Sequence, residues 1–340
     1  MCVPHELKER KREREREREN ESVGDWCDRS SWKGSGGRTF EAVEGCDCSG
    51  SHARSKRFEG KTVLDVSTFT RTPIHTHKQA YLVDRLGADE VVKFDLTEEK
   101  TWESAMDGVT HLFSSTQDKF IAEHMKFASF CGRNLQNNLQ HIVRISCFGA
   151  DESLTSKIDP KIHVSKDNAE IPLMLQHYWW SERCFLQAGF DDGRFTSIRG
   201  NFYMNHLLKN EIDSISSKQS FTSPLGNCKN SFVSCNDMGQ AAVTTLLEGP
   251  ERHGNKVYDI TGPESHSMAD VASVLTKALN SSQAQDVQAV KDRDLLNKTV
   301  TYVPQDIEMF EKDFGPARAE FFEYLRNGFY SRCSPDFYNL

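Results

Sequence analysis

Alternating hydrophobic and polar segments begin near residue 61 and continue to the C-terminus. Short runs rich in β-branched and aromatic side chains predict strands at 62–70, 90–94, 109–113, 141–146 and 195–199. Between these runs, apolar residues recur at helical spacing and predict helices at 75–86, 98–106, 117–135 and 172–188. Strands that alternate with helices favour an α/β fold, in which a parallel sheet carries helices on both faces.

Two of the predicted helices have a clear buried side. In the 117–135 helix the apolar side consists of Phe120, Ile121, His124, Phe127, Ala128 and Cys131. Strands are also predicted at 231–235 and 257–260, each followed by a helix. Ser267 is suited to cap the last of these helices, because Asp270 stands in the capping-box position. Its predicted apolar stripe consists of Val271, Val274, Leu275, Ala278 and Leu279.

The first sixty residues lack this periodicity. Residues 6–21 are almost wholly charged, and their alternating arginines and glutamates place like charges four apart, which disfavours a helix. Residues 22–60 are rich in serine, glycine and charge. We therefore predict a disordered segment over 1–60 and a folded domain over 61–340.

Composition narrows the class of protein. The net charge of −8 gives no general reason to expect nucleic acid as a partner. No apolar run approaches the roughly 18 residues that a membrane helix needs, and the first thirty residues do not resemble a signal peptide. A cytoplasmic protein that binds a small molecule is the expectation. The ten cysteines are scattered and are predicted to be reduced thiols. Cys46, Cys48 and His52 have no second ligand pair at zinc spacing, so no metal is predicted.

Two charged residues stand where predicted strands end, which is where ligands bind in parallel α/β sheets. Arg71 follows the first strand, and its guanidinium suits bidentate binding of the 2'-phosphate of NADP. A solvated strand-end arginine is the alternative. Asp95 and the backbone amide of Leu96 end the 90–94 strand and suit an adenine edge, although Asp95 is equally suited to cap the next helix.

The 141–146 strand and the helix after it supply the candidate catalytic residues. Ser146 reaches the carboxyl end of its strand, a usual place for a hydroxyl that orients a substrate carbonyl, unless it is a buried serine bonded to backbone. His177 and Tyr178 lie one turn before Ser181 and Glu182, respectively, and so share faces with them. Such a face belongs either to an active site or to packing.

Taken together, these segments resemble the NmrA-like family of atypical short-chain dehydrogenases/reductases. The motif at 70–73 (TRTP), which includes Thr70, is similar to the end of the family's second strand. The segment 87–96 (GADEVVKFDL) is similar to its third strand, 107–113 to its fourth, and 141–151 to its fifth. The segments 195–205 (FTSIRGNFYMN) and 258–265 (YDITGPES) resemble later family motifs. The resemblance extends from about residue 62 to the last helix.

The resemblance implies an NAD(P)-binding, Rossmann-like part over 61–200 and a small C-terminal α+β substrate region over 201–340. With such a cofactor, Arg71 would favour NADP over NAD, Asp95 would hold the adenine, and Ser114 and Ser115 would line the cofactor at the end of the fourth strand. Ser146 and His177 would face the nicotinamide and the substrate.

The chain departs from the family pattern at three places. No strand with a glycine loop such as G-x-x-G-x-x-G precedes Arg71, so the sheet is expected to lack its first strand, leaving the edges of the second and fourth unpaired. Glu182 stands where related enzymes place the lysine of Tyr-x-x-x-Lys, and its carboxylate disfavours an ionised Tyr178. Gly200 replaces the usual proline.

These observations support a first hypothesis of an NAD(P)H-dependent oxidoreductase that acts on a small carbonyl or quinone compound. The alternatives are a non-catalytic, NADP-responsive regulatory protein and an inactive fragment without a phosphate loop.

Overall fold

The computed structural model describes residues 92–115, 120–150 and 172–340, together with three strands nearer the N-terminus. Two of these are β1 (Trp32–Lys33) and β2 (Glu41–Ala42), which pair in antiparallel fashion within the segment predicted to be disordered. The rest of that segment, the 75–86 helix, Thr70 and Arg71 lie outside the described residues.

A five-stranded sheet forms the centre of the fold. Its strands, in spatial order, are β3 (Lys61–Val66), β4 (Val109–Ser115), β5 (His141–Cys147), β6 (Phe195–Gly200) and β8 (Val257–Ile260). β3 pairs in parallel with β4, β4 with β5, and β6 with β8. With its flanking helices, this sheet makes the chain a Rossmann-like α/β protein, as predicted.

The edge of β4 is paired rather than open. β3 runs directly alongside β4, with Leu64 opposite Phe113 and Val66 opposite Ser115. The expectation that a missing strand would leave these two strands with unpaired edges is therefore wrong. Direct pairing satisfies the backbone groups that an open edge would expose.

The helices cover the sheet and build the C-terminal part. They are α1 (Trp102–Ala105), α2 (Ile121–Asn134), α3 (Leu173–Phe185), α4 (Met204–Lys218), α5 (Cys235–Glu248), α6 (Pro250–His253), α7 (Met268–Leu279), α8 (Gln288–Asp292), α9 (Ile307–Phe314), α10 (Pro316–Leu325) and α11 (Asp336–Asn339). Short 3-10 turns occur at Glu99–Thr101, Ser282–Asp286 and Phe329–Ser331, and a π turn at Leu186–Phe190. In the described part of the chain, no helix combines the length and apolarity needed to cross a membrane.

The chain folds into two compact units. Unit 1 consists of residues 1–144, 184–196 and 242–255, and unit 2 of residues 145–183, 197–241 and 256–340. The core of unit 1 confirms the predicted side of α2, since His124, Phe127, Ala128 and Cys131 are fully buried. Phe127 packs edge-on against Trp102 and Phe185, with ring centroids 5.4 and 6.5 Å away.

Unit 2 contains a second, smaller sheet in which β7 (Ser220–Ser223) pairs in parallel with β9 (Thr301–Pro304). Aromatic side chains form its core, and the Phe322 ring lies 4.7 Å from Phe310 and 5.8 Å from Phe202. A buried ion pair joins α3 to β6, where Arg199 donates to both carboxylate oxygens of Glu182 at 2.9 and 2.8 Å.

The capping box of α7 is present as predicted. The Ser267 hydroxyl accepts from the Asp270 amide at 3.2 Å, and the Asp270 carboxylate accepts from the Ser267 amide at 2.9 Å. The predicted stripe on this helix is partly wrong, because Val274 is 53% exposed and the buried positions are Met268 and Ala272. The buried face is therefore rotated by about one position.

Two predicted strands are not formed in their described residues. Residues 92–94 have no regular structure, and the Asp95 backbone that follows bonds to the Thr101 hydroxyl and the Trp102 indole instead of to a strand. The segment 231–235 contributes only an isolated bridge between Val233 and Tyr203 before α5 begins at Cys235. An apolar segment forms a strand only where a neighbouring strand is available to accept and donate its backbone hydrogen bonds.

Candidate active site

The carboxyl end of β5 carries the strongest candidate chemistry in unit 2. Ser146 is only 2% exposed, and its hydroxyl has no hydrogen-bond partner among the described residues. A buried hydroxyl without a partner costs free energy, on the order of 1–3 kcal/mol, unless something else completes its bonding. Ser146 is thus suited to donate to, or accept from, a bound molecule.

Cys147, the next residue, is held by a tyrosine from the C-terminal segment. The Tyr330 phenol donates to the Phe148 carbonyl at 2.6 Å and lies 3.1 Å from the Cys147 sulfur. Since the phenol has only one proton, the Cys147 thiol donates to the phenol oxygen. Burial raises the pKa of Tyr330 well above its usual value, and Cys147 and the nearby Tyr324 and Tyr178 phenols raise it further. Tyr330 therefore stays protonated and acts as a fixed donor.

His177 and Tyr178 lie on α3, both half-buried. Tyr178 makes a small contribution to the raised pKa of the Tyr330 phenol, after burial and Cys147. Ser181, which shares a face with His177, donates back to the Tyr178 carbonyl at 2.7 Å and so serves the helix itself. His177 and Tyr178 thus belong to unit 2, which also contains Ser146, Cys147 and Tyr330.

Glu182 is engaged away from Tyr178. Both of its carboxylate oxygens accept from Arg199, and both side chains are buried. A bidentate pair of this kind fixes the carboxylate and offsets its charge. From its spacing, Glu182 was predicted to share a helix face with Tyr178. In the structure its carboxylate binds Arg199 and so links α3 to β6.

The candidate cofactor residues that the structure describes belong to unit 1. Asp95 accepts from the amide and the hydroxyl of Thr97 at 2.8 and 2.7 Å, which forms a local turn rather than a helix cap. Leu96 is buried in the core of unit 1. The fully buried Ser114 hydroxyl lies 3.4 Å from the Arg144 guanidinium and from the His124 ring, whereas Ser115 is half-buried. Their cofactor roles stay predictions.

Two contributors to the site were missed by sequence reasoning. Cys147 directly follows Ser146, so its position at the strand end could have been noted. Tyr330 gave no signal, because it lies in a C-terminal segment without a motif and 183 residues from Cys147 along the chain. Within the described residues, no group of His, Cys, Asp and Glu side chains is arranged to hold a metal ion.

Fold and site together define a Rossmann-like α/β protein with hydroxyl, thiol and phenol groups at the carboxyl end of a central strand. No family model matches the chain. An NAD(P)H azoreductase from Xenophilus azovorans is 34% identical over 84 residues, which are 25% of this chain and 28% of that protein. The aligned stretch thus spans little more than a quarter of this relative.

Solved structures show the same fold at low identity. The Citrobacter sp. triphenylmethane reductase complexed with NADP(H) is 19% identical, with a TM-score of 0.56, covering 78% of this chain and 83% of that one. The NADPH-dependent quinone oxidoreductase of Escherichia coli complexed with NADPH is 18% identical, with a TM-score of 0.56 and coverages of 78% and 82%. A nucleoside-diphosphate-sugar epimerase from Staphylococcus aureus is 18% identical, with a TM-score of 0.54 and coverages of 74% and 78%. The chain therefore has the fold of these reductases and epimerases.

Proposed function

We propose that this chain is an NAD(P)H-dependent oxidoreductase of the NmrA-like, atypical short-chain dehydrogenase/reductase type. Its substrate would be a small planar carbonyl or quinone compound. The observation that carries the proposal is the buried Ser146 hydroxyl, which lacks a described partner at the carboxyl end of a central strand. The azoreductase segment and the two reductases of the same fold support a reductive reaction over epimerisation.

The residues present fit a nicotinamide cofactor in part. In unit 1, the half-buried Ser115 ends β4. The Asp95 Oδ1 accepts both hydrogen bonds from Thr97, which leaves Oδ2 to accept from a cofactor. We assign Asp95, Leu96 and Ser115 to the cofactor, together with Thr70 and Arg71, which would favour NADP through its 2'-phosphate. When bound, the cofactor supplies the hydride.

The side chains of unit 2 orient the substrate and move its proton. In the proposed reaction Ser146 donates a hydrogen bond to the substrate oxygen that gains charge. Tyr178 is the candidate proton donor, since it carries a half-buried phenol in the same unit as Ser146, and His177 supplies a further polar contact to the substrate. The Tyr330 phenol binds the Cys147 thiol, so in this proposal Ser146, and not Cys147, contacts the substrate.

A non-catalytic, NADP-responsive protein is the second candidate, and one observation favours it. The residue four positions after Tyr178 is Glu182, which is bound to Arg199, so no lysine ammonium stands at that position to assist proton transfer. A protein that binds the cofactor without using it would tolerate this arrangement.

The test compares two buried serines in unit 2. Ser146 and Ser197 both lack a described hydrogen-bond partner, but Ser197 lies near the start of β6 rather than at a strand end. We expect Ser146→Ala to lower kcat for quinone reduction by NADPH about tenfold to a hundredfold, because a hydrogen bond to developing charge is lost. Ser197→Ala should leave kcat within twofold. Neither change should lower the free energy of unfolding appreciably, since no described bond is lost.

Calorimetric titration with NADPH and NADH precedes the kinetics. Absence of binding at millimolar concentrations of both cofactors would exclude the oxidoreductase and the cofactor-responsive protein alike. Binding without NADPH oxidation across a panel of quinones and aldehydes would favour the second candidate. Equal effects of the two serine substitutions would contradict the role given to Ser146.

A further inference from the structure

The segment that contains Arg332 is fixed firmly against the end of β5. The Tyr330 carbonyl accepts from the Ser231 amide at 2.9 Å and from the Asn201 side chain at 3.1 Å. The Arg332 carbonyl accepts from the Ser231 hydroxyl at 2.6 Å. The Tyr330 phenol also donates to the Phe148 carbonyl. Together these hydrogen bonds fix the backbone at residues 330 and 332. The position of Arg332 is therefore set before any ligand binds.

The Arg332 guanidinium stacks on two aromatic rings. Its central carbon lies 3.8 Å from the centroid of Phe329 and 5.3 Å from that of Phe148, and the two rings are 5.5 Å apart. Stacking uses the flat face of the guanidinium and leaves its N–H edges for hydrogen bonds. Arg332 is exposed, and it forms no ion pair within the part of the chain that the structure describes. The positive charge of Arg332 is therefore accessible to a ligand and is not neutralised by a described carboxylate.

Phe148 connects this cation to the proposed substrate position. Phe148, on which it stacks, is two residues from Ser146, and its carbonyl is bonded by Tyr330, the residue that also holds Cys147. A planar molecule whose oxygen meets Ser146 would lie next to a flat arginine and two rings. An arginine fork binds carboxylate and sulfonate oxygens in bidentate geometry, and aromatic rings favour a flat apolar body.

We infer that Arg332 determines substrate specificity, by selecting planar aromatic substrates that bear a carboxylate or sulfonate group. This inference rests on the proposed function. It adds to that function the prediction that the substrate is negatively charged, because a fixed arginine attracts an anionic compound and repels a cationic one. The chain as a whole carries a net charge of −8, so general electrostatics would not produce this preference.

The kinetic test uses a neutral naphthoquinone and a naphthoquinone sulfonate as substrates of the full-length protein. We expect Arg332→Gln to raise KM for the sulfonate about tenfold and to leave KM for the neutral quinone within twofold, because one charge-assisted contact is lost. Arg332→Lys should give an intermediate KM, since it keeps the charge but not the fork. Arg318→Gln is the matched control, because this exposed arginine also lies over a ring of unit 2, 5.8 Å from the Phe314 centroid. Its KM values should match those of the unaltered protein.

A binding measurement separates this inference from the proposed function. Naphthalene sulfonate, which has no reducible group, should bind the unaltered protein and lose about tenfold in affinity with Arg332→Gln by calorimetry. Such binding without any NADPH oxidation would retain the anion site and reject the reductase. Turnover in which both quinones respond equally to Arg332→Gln would overturn the specificity role and retain the reductase. Failure of the unaltered protein to bind the sulfonate would also overturn it.

The same titrations distinguish a substrate anion from a cofactor phosphate. The affinity for NADPH should be the same in the unaltered protein and in Arg332→Gln. A tenfold loss of NADPH affinity, with the preference between the two quinones unchanged, would assign Arg332 to the cofactor and contradict substrate selection.

Discussion

Unit 1 and unit 2 both bury polar side chains, but they differ in how completely those side chains are used. In unit 1 the buried histidines that lack a partner at one ring nitrogen are bonded through the other. His141 lies 2.9 Å from the Thr196 hydroxyl, and His124 lies 3.4 Å from that of Ser114. In unit 2 whole side chains lack a described partner, including Ser146, Ser197 and the amide of Asn230.

The difference indicates where binding chemistry should be sought. A polar group that is bonded inside its unit contributes to stability, and its removal leaves its partner unsatisfied. A buried polar group that no neighbour uses costs free energy instead of adding stability, and it is available to a ligand or a water molecule. We therefore expect substitutions of bonded groups to change unfolding and substitutions at the β5 end of unit 2 to change turnover.

The ion pair of Glu182 and Arg199 gives the largest expected effect and tests this rule inside unit 2. Glu182→Ala should lower the free energy of unfolding by about 3–5 kcal/mol, because it leaves a buried guanidinium without its carboxylate. The double variant Glu182→Leu with Arg199→Met removes both charges and should recover most of that loss. Urea unfolding followed by circular dichroism measures both.

An exposed ion pair in the same unit provides the control. Lys298 lies 3.2 Å from Asp294, four positions earlier in an irregular segment, and their side chains are 32% and 91% exposed, respectively. Lys298→Ala should change the free energy of unfolding by less than about 0.5 kcal/mol. If Glu182→Leu with Arg199→Met is as unstable as Glu182→Ala, then lost packing, and not the unpaired guanidinium, causes the loss of stability.

The buried histidines of unit 1 should make stability fall in mild acid. Burial lowers the pKa of His111 to about 4 and that of His141 to about 3, from an ordinary value of 6.5. The protonated form is therefore favoured in the unfolded chain, which binds more protons as the pH falls below 6.5. Stability is fully present above pH 6.5 and decreases until the folded-state pKa values are passed.

Substitution of His111 isolates one part of this pH dependence. By pH 4.5 its contribution should amount to a loss of about 2 kcal/mol relative to pH 7, and His111→Gln should lack that part of the decline. His266→Gln is the control, since its side chain is 37% exposed. Urea unfolding at the two pH values gives the difference, and parallel declines for the protein and for His111→Gln would contradict the assignment.

Local patterns predicted the elements that local physics decides. The buried side of α2 follows from helical spacing of His124, Phe127 and Cys131, and β5 follows from a β-branched run that is buried throughout most of its length. The segment 231–235 had a similar apolar composition, but it lacks a ladder and forms no strand. Strand formation depends on a partner that the local sequence does not specify.

The site was predictable only in its local half. Ser146 was predicted because strand ends in α/β folds carry function, and His177 and Tyr178 because they share helix faces with Ser181 and Glu182; the roles of all three stay predictions. Arg332 was not found, because its approach to Phe148 joins residues that no periodicity links. Glu182 shows the opposite case, since its spacing from Tyr178 was visible and yet its partner, Arg199, comes from another element.

The smallest expected effect concerns Ser267, a polar side chain of unit 2 that is fully used. Its hydroxyl accepts from the Asp270 amide and donates to the Asp270 carboxylate at 2.8 Å, which fixes the first turn of α7. Ser267→Ala should lower the free energy of unfolding by about 1 kcal/mol, the usual cost of a lost N-cap. Ser273→Ala, in the exposed middle of the same helix, should change it by less than about 0.5 kcal/mol.

Ser267 also separates stability from turnover. Because its hydrogen bonds are satisfied within α7, Ser267→Ala should leave kcat for NADPH-dependent quinone reduction within twofold, in contrast to Ser146→Ala. The two serines thus predict opposite outcomes in unfolding and in kinetics, although both belong to unit 2. If Ser267→Ala lowered kcat as much as Ser146→Ala, then the bonding state of a buried hydroxyl would not distinguish a structural serine from a functional one in this protein.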